Sequence, residues 1–256
     1  MPAAKTLVLI GAGQMGTALA KGWLSGRPKP DLVIVDPAPS ELVRRWAETG
    51  EVTLNPDPKP ANIVVLAVKP QIFPRMAETV RPFISPKTLV ISIMGGVRLS
   101  QLSDRLDTPR VVRVMPNTPA AIGRGVSLIS TLPALAKADI ETTRRLLKPV
   151  GHVEGPIEEK LMPVATGVSG CGPAYVFLLA ELMAEAAEGE GLPKDLAMRL
   201  AIKTVTGAAA LMAESGEAPG DLRKSVTSPG GITQAALDIL MDDGGMPILM
   251  RKAIRA

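Results

Sequence analysis

The chain has 256 residues, of which 46% are apolar and 21% charged, a balance that excludes wholesale disorder and suits two modest domains. One Cys and one His exclude a disulfide framework and multi-cysteine metal sites and leave little scope for zinc or Ser-His chemistry; no metal and a reduced, cytoplasmic setting are expected. The net charge of +4 is mild and scattered, and six aromatics (Phe 3, Trp 2, Tyr 1) cannot furnish the stacking platforms of single-stranded nucleic-acid binders, so no nucleic-acid partner is expected.

In chain order, the start lacks the layout of a secretory signal and runs into a buried strand at 6–10. A helix is predicted over 13–24, a second strand at 32–35, and a helix capped by Ser40 that carries Leu42, Val43 and Trp46. Strands at 63–68, 88–93, 111–114 and 126–129 follow, then a helix over 133–147 and a short strand at 150–153. Apolar β-branched runs separated by helices predict a parallel sheet covered on both faces.

Past residue 156 the strand signals stop, which sets domains at 1–156 and 157–256, the second all-α. A helix over 173–188 has Glu181, Glu185 and Glu188 on one narrow polar face. Those charges interrupt the most apolar stretch, so no bilayer span and no membrane partner are expected. A second helix, over 194–213, carries the small residues Gly207, Ala208, Ala209 and Ala210. Two long, nearly all-apolar helices are hard to bury within about 100 residues, so a homodimer through this half is expected. The basic tail with Arg251, Lys252 and Arg255 reads as a solvated helix end.

Gly11, Ala12, Gly13, Gln14, Met15 and Gly16 form a complete G-x-G-x-x-G between the first strand and the first helix. The first Gly permits the tight turn, the second the approach of a pyrophosphate, and the third close packing of helix on strand. The helix start then holds the phosphates, so the N-terminal domain is predicted to be a Rossmann dinucleotide-binding fold. A Gly-rich turn without a ligand is the alternative. Asp36 closes the second strand, where an acid commonly bonds the adenosine ribose; its charge repels a 2′-phosphate and favours NADH. Arg44 and Arg45 on the next helix could offset it, and a turn residue before Pro37 is the alternative.

Ligands gather at the carboxyl ends of parallel strands. Three such ends stand out: Ala67, Val68, Lys69, Pro70 and Gln71; Met94, Gly95 and Gly96; and Met115, Pro116, Asn117, Thr118 and Pro119. Lys69 offers a cation to a phosphate or ribose, Gly95 and Gly96 give room to a ring, and Asn117 can bond a carboxamide or substrate. Further on, residues 226–233 precede an amphipathic helix with Leu237, Leu240 and Met241. Consecutive amides at that helix start, with Ser228 and Thr233, make a cradle for a small carboxylate; an N-cap with a Gly-rich linker explains it equally well.

These segments, together with Ser169, Gly170, Cys171, Gly172, Pro173, Ala174 and Tyr175, appear in an order that closely resembles the pyrroline-5-carboxylate reductase family over essentially the whole chain. The resemblance implies a Rossmann domain, a helical dimerisation domain and often assemblies of dimers. It implies reduction of 1-pyrroline-5-carboxylate to L-proline, the last step of proline biosynthesis, with NADPH frequently the donor. It places the substrate carboxylate on Ser228, Gly230, Gly231, Ile232 and Thr233, with Thr233 near the ring nitrogen. Cys171 stands where the family commonly has Ser, and Ile232 where Thr or Ala is usual. Asn55 lies near the family's ribose-binding asparagine, in a segment one residue shorter.

The chemistry implied is hydride transfer to a C=N carbon, with Thr233 bonding the nitrogen; His152, the one imidazole, is expected at the surface. A β-hydroxyacid dehydrogenase is the nearest rival. It needs a catalytic Lys after a glycine segment that Gly167, Gly170 and Gly172 reproduce, but that position holds Val176. A dinucleotide-binding sensor without turnover is the second alternative.

Overall fold

The computed structural model describes residues 5–256, and its contacts divide the chain into one unit that runs to Gly170 and a second, Cys171–Ala256. The first unit is built on a sheet of β1 (Thr6–Ile10), β2 (Asp31–Val35), β3 (Thr53–Leu54), β4 (Ile63–Leu66), β5 (Leu89–Ser92), β6 (Val111–Met115), β7 (Gly125–Thr131) and β8 (Gly151–Glu154). Their order is β3-β2-β1-β4-β5-β6-β7-β8. Strand direction in β1 to β6 is parallel, as expected of apolar runs that are buried on both faces.

β7 departs from that expectation: it pairs antiparallel with β6, and β8 pairs parallel with β7. The reason is the link. Residues 116–124 contain a short 3-10 turn, Thr118–Ile122, closed by Gly123 at φ +72°, and this link reverses the chain but is too short for a parallel crossover.

Side chains alternate across the sheet. Leu7 and Leu9 of β1 join one buried cluster, Val8 and Ile10 the other. The first cluster is covered by α1 (Gln14–Ser25), α2 (Glu41–Glu48) and α5 (Lys137–Leu147), through Leu19, Trp23, Val43 and Leu147. The opposite face is covered by α3 (Phe73–Val80) and α4 (Leu99–Leu106), through Phe73, Val80, Leu99 and Leu102. Ser40 does cap α2, accepting from the Val43 N–H at 3.4 Å.

α6 (Met162–Ser169) closes this unit, so the division of contacts falls later than residue 156. Its segment is tied to the sheet: Glu159 bonds Arg113 and the Leu99 amide, and the Ser169 carbonyl accepts from Asn117.

The second unit consists of α7 (Gly172–Gly189), α8 (Lys194–Ser215), α9 (Pro219–Ser225), α10 (Ile232–Leu240) and α11 (Met246–Arg255). α7 and α8 pack as a hairpin whose buried seam is Ala184, Ala197 and Ala201. Small side chains allow close approach but bury little. The large ones point away: Phe177 is 65% exposed, and Leu178, Leu182, Leu200 and Leu211 are exposed too. Contiguous exposed apolar surface of this kind marks an interaction face.

One expectation is corrected here. Glu159–Gly189 and Lys194–Ser215 are both long and apolar enough to cross a membrane on length and hydropathy. Glu181, Glu185 and Glu188 lie late in the first stretch, and residues 161–180 ahead of them contain no charged side chain.

Candidate active site

The strand order reverses between β1 and β4, and a dinucleotide binds in the crevice at such a switch point, outside the carboxyl ends of the strands. The glycine turn sits there. Gly11 has φ +90°, and a Cβ on it would meet Val68 Cγ1 at 2.8 Å and the Ala67 carbonyl oxygen at 2.9 Å. A Cβ on Gly16 would strike the Gly11 carbonyl oxygen, so this glycine seats α1 on the turn. Gly13 differs: a Cβ there meets nothing within 4 Å. Its space is open, and Gly13 caps α1 with no side chain on the first amides. Those amides, at the positive end of the helix dipole, fit a pyrophosphate.

Asp36 is built into the turn. Its Oδ2 accepts from the Ala12 N–H at 2.6 Å and its Oδ1 from the Ala38 N–H at 2.8 Å. Asn55 clasps the Asp36 backbone from the next strand end: Oδ1 accepts from Asp36 N–H and Nδ2 donates to Asp36 C=O, both at 2.9 Å. Asn55 adopts φ +47°, a conformation that asparagine tolerates better than most residues. Asp36 and Asn55, both read as ribose ligands, thus also hold the turn in shape.

The remaining strand ends lie along the same edge. β4 stops at Leu66, leaving Ala67 and Val68 half-buried in the loop against Gly11, with Lys69 exposed and Pro70 opening a 3-10 turn. Gly95 is half-buried, and a Cβ added there would meet Met115 Cε at 3.9 Å; Gly96 has φ +77°. Asn117 is buried, and its amide is engaged: Nδ2 donates to the Ser169 carbonyl at 2.8 Å and Oδ1 accepts from the Val126 N–H at 2.7 Å. A bond from Asn117 to cofactor or substrate has its second N–H and the second lone pair of Oδ1 to use.

Two residues, Arg113 and Glu159, escaped the sequence reading. Arg113, in the middle of β6, is 9% exposed and pairs with Glu159 at 3.0 Å. The signal was a single charge inside the apolar run Val111, Val112, Arg113, Val114. His152 lies on β8 at the surface, 2.9 Å from Glu154; that hydrogen bond, then the Gly155 amide and the His152 charge, hold the Glu154 carboxyl below its usual range.

In the second unit, Gly231 N–H donates to the Ser228 carbonyl at 3.0 Å, closing a turn with Pro229 and then Gly230 at φ +70°, the arrangement of a type II turn. The turn feeds α10, whose N-cap is Gly231 with no side-chain cap. Ile232 is 92% exposed, and Ser228 and Thr233 are exposed. The first amides of α10 and two hydroxyls thus form an open, positively polarised rim. Tyr175, on α7, has its hydroxyl pushed above the usual value, first by desolvation and then by neighbouring Cys171.

A family model for "Pyrroline-5-carboxylate reductase dimerisation" matches residues 159–256, and one for "NADP oxidoreductase coenzyme F420-dependent" matches residues 6–96. The pyrroline-5-carboxylate reductase of Glycine max is 36% identical over 98% of this chain and 93% of its own length. The chain belongs to the pyrroline-5-carboxylate reductase family. A second family member, from Pseudomonas aeruginosa, is 34% identical over 98% of this chain and 93% of its own length. Among solved structures, the pyrroline-5-carboxylate reductase of Coxiella burnetii superposes with TM-score 0.89 at 30% identity, covering 98% of this chain and 95% of that one. The Plasmodium falciparum pyrroline carboxylate reductase with NADP bound gives TM-score 0.83 at 28% identity, covering 100% of this chain and 95% of that one.

Proposed function

We infer that this protein reduces 1-pyrroline-5-carboxylate to L-proline with NADPH or NADH. Full-length kinship to reductases of that name carries the reading; the open cradle at Gly13 supports it. When bound, the nicotinamide supplies the hydride for the C=N carbon. The chain's own work is binding and orientation. The amides of α1 hold the pyrophosphate, with Gly11, Ala12, Gly13, Gln14, Met15 and Gly16 shaping the turn. Asp36 and Asn55 face the adenosine ribose, Ala67, Val68, Lys69 and Pro70 flank the phosphates, and Gly95 and Asn117 border the nicotinamide.

The α10 rim, with Ser228, Gly230, Gly231 and Ile232, takes the substrate carboxylate. Thr233 bonds the ring nitrogen, which gains a proton from water, directly or through this hydroxyl, as the carbon gains hydride. A hydroxyl is a poor acid, so positioning outweighs proton donation in this role, and positioning can supply several kcal/mol of a barrier. Thr233→Ala is expected to lower kcat about 100-fold at saturating cofactor and imine, an effect in the range of general positioning losses. Unchanged turnover in that variant contradicts the assignment.

Asp36 decides the cofactor in this account. A carboxylate pinned by two amides cannot swing away from a 2′-phosphate, so NADH is favoured. Asp36→Asn removes the charge and keeps one of the two amide acceptors. The ratio of kcat/KM for NADPH to that for NADH is expected to rise about tenfold, roughly 1.4 kcal/mol; an unchanged ratio contradicts it.

The exposed faces of α7 and α8 are proposed to be covered by a second copy in a homodimer, or in an assembly of dimers, and not by lipid. The dimerisation family match over 159–256 supports this. Nucleic acid is not a proposed partner, and the cytoplasm is the proposed compartment. Loss of reduced-cofactor absorbance on mixing the protein with 1-pyrroline-5-carboxylate tests the function; activity with a 3-hydroxy acid instead would overturn it.

A further inference from the structure

Glu159 joins the start of α4 to β6 through one oxygen. Its Oε1 accepts from the Arg113 guanidinium (Nη1) at 3.0 Å and from the Leu99 backbone N–H at 2.8 Å. Leu99 is the first residue of α4, whose first turn contains no acidic residue of its own. Helix starts leave amides without partners and carry positive polarity; Gln101 accepts from the Arg98 amide, and Glu159 supplies the acceptor for Leu99 together with the negative charge. The chain entering α4 is the Gly95–Gly96 turn.

Arg113 lies in register with Ser92 of β5 and Ser130 of β7, all three buried. Ser92 Oγ accepts from Met94 N–H, and Ser130 Oγ donates to the Ile157 carbonyl. The loop that begins at Met115 follows two residues after Arg113. Ten residues beyond Glu159, the Ser169 carbonyl accepts from Asn117 in that same loop. The segment 159–169 therefore works as a strap pinned at both ends, one end on the α4 start and β6, the other on the β6–β7 loop.

We propose that Glu159 is a positioning residue, acting through Arg113 and the Leu99 amide to set the Gly95–Gly96 turn and the Met115–Asn117 loop that border the nicotinamide. The proposal rests on the reading that this edge holds the cofactor. A carboxylate at this point does what a purely apolar contact could not: one oxygen holds the Leu99 amide and neutralises a buried guanidinium.

The test compares Glu159→Ala, Glu159→Asp and Glu159→Gln with the wild type in three measurements. They are hydrogen exchange of residues 94–99 and 115–118 without cofactor, the dissociation constant for NADPH and NADH from their fluorescence, and kcat at saturating substrates. Glu159→Ala is expected to speed exchange in both loops at least tenfold, weaken cofactor binding about tenfold and lower kcat about tenfold, since small misplacements carry losses of that order or more. Glu159→Gln, which keeps the acceptor oxygen for the Leu99 amide but leaves the buried Arg113 guanidinium without its carboxylate, is expected to fall between wild type and alanine in all three measurements. Glu159→Asp, one methylene shorter and charged, serves if the alanine variant does not fold, and is expected to follow alanine. Wild-type exchange and cofactor affinity in the folded alanine or aspartate variant, with only the melting temperature lowered, overturns the proposal. Failure of the wild type to bind either nucleotide would instead overturn the reading of the edge, and the exchange data would still decide the role of Glu159.

Discussion

Gly13→Val is expected to abolish measurable binding of NADPH and NADH while leaving the fold intact. The backbone at Gly13 has φ −66° and ψ −166°, open to any residue, and an added Cβ meets nothing in the chain within 4 Å. The cost to stability is that of a poorer N-cap, about 1 kcal/mol. The added methyls fill the space in which the pyrophosphate sits, so the dissociation constant should rise at least about 100-fold, close to 3 kcal/mol. Gly16→Ala provides the contrast. Its Cβ strikes the Gly11 carbonyl oxygen and lies 3.3 Å from Ala67 Cβ, so overpacking should cost about 1–3 kcal/mol of stability as well as affinity. Isothermal titration with thermal melts separates the two. Wild-type affinity in Gly13→Val contradicts the placement of the cofactor.

The second large effect concerns α7. Leu178 and Leu182 are one helical turn apart, and each is 51% exposed in the single chain. Glutamate at both places puts two charges into the proposed contact with a second copy, where they have no partner and lose hydration. Leu178→Glu with Leu182→Glu is expected to convert the dimer to monomer, raising the dissociation constant of self-association at least about 1000-fold, or 4 kcal/mol. Sedimentation velocity without detergent reads both species. A double variant that sediments as the wild type contradicts this face as the contact, and a wild type that stays in solution only with detergent favours lipid as its cover.

Much of the first unit was legible because its physics is local. β1, the glycine turn and α1 follow from an apolar run, three glycines at fixed spacing and a helical period. Ser40 announced α2 by its capping chemistry. α3 and α4 were missed, although both begin after strand-end turns; each is only eight residues long, which gives helical periodicity two turns in which to show. β3, a two-residue strand, has even less signal. The reversal at β7 was legible only in the length of its link.

For the candidate site, residue type revealed the turn but not its internal bonding. Asp36 and Asn55 were read as facing a ligand, and both also brace the glycine turn, because a bond between residues 24 or 19 positions apart leaves no mark on spacing. Glu159 was hidden for the same reason: its partners lie 46 and 60 positions away. The α7–α8 hairpin was predicted almost to its ends, yet its seam is Ala184, Ala197 and Ala201 rather than the small run at 207–210, whose first three residues are exposed.

The most direct measurement of the central claim follows the hydride itself. NADPH or NADH carrying deuterium at both C4 positions is supplied with 1-pyrroline-5-carboxylate, and the product is analysed by mass spectrometry. Proline bearing a single deuterium on its δ carbon is the predicted result. Oxidised cofactor without labelled proline, or no consumption of either cofactor, contradicts it.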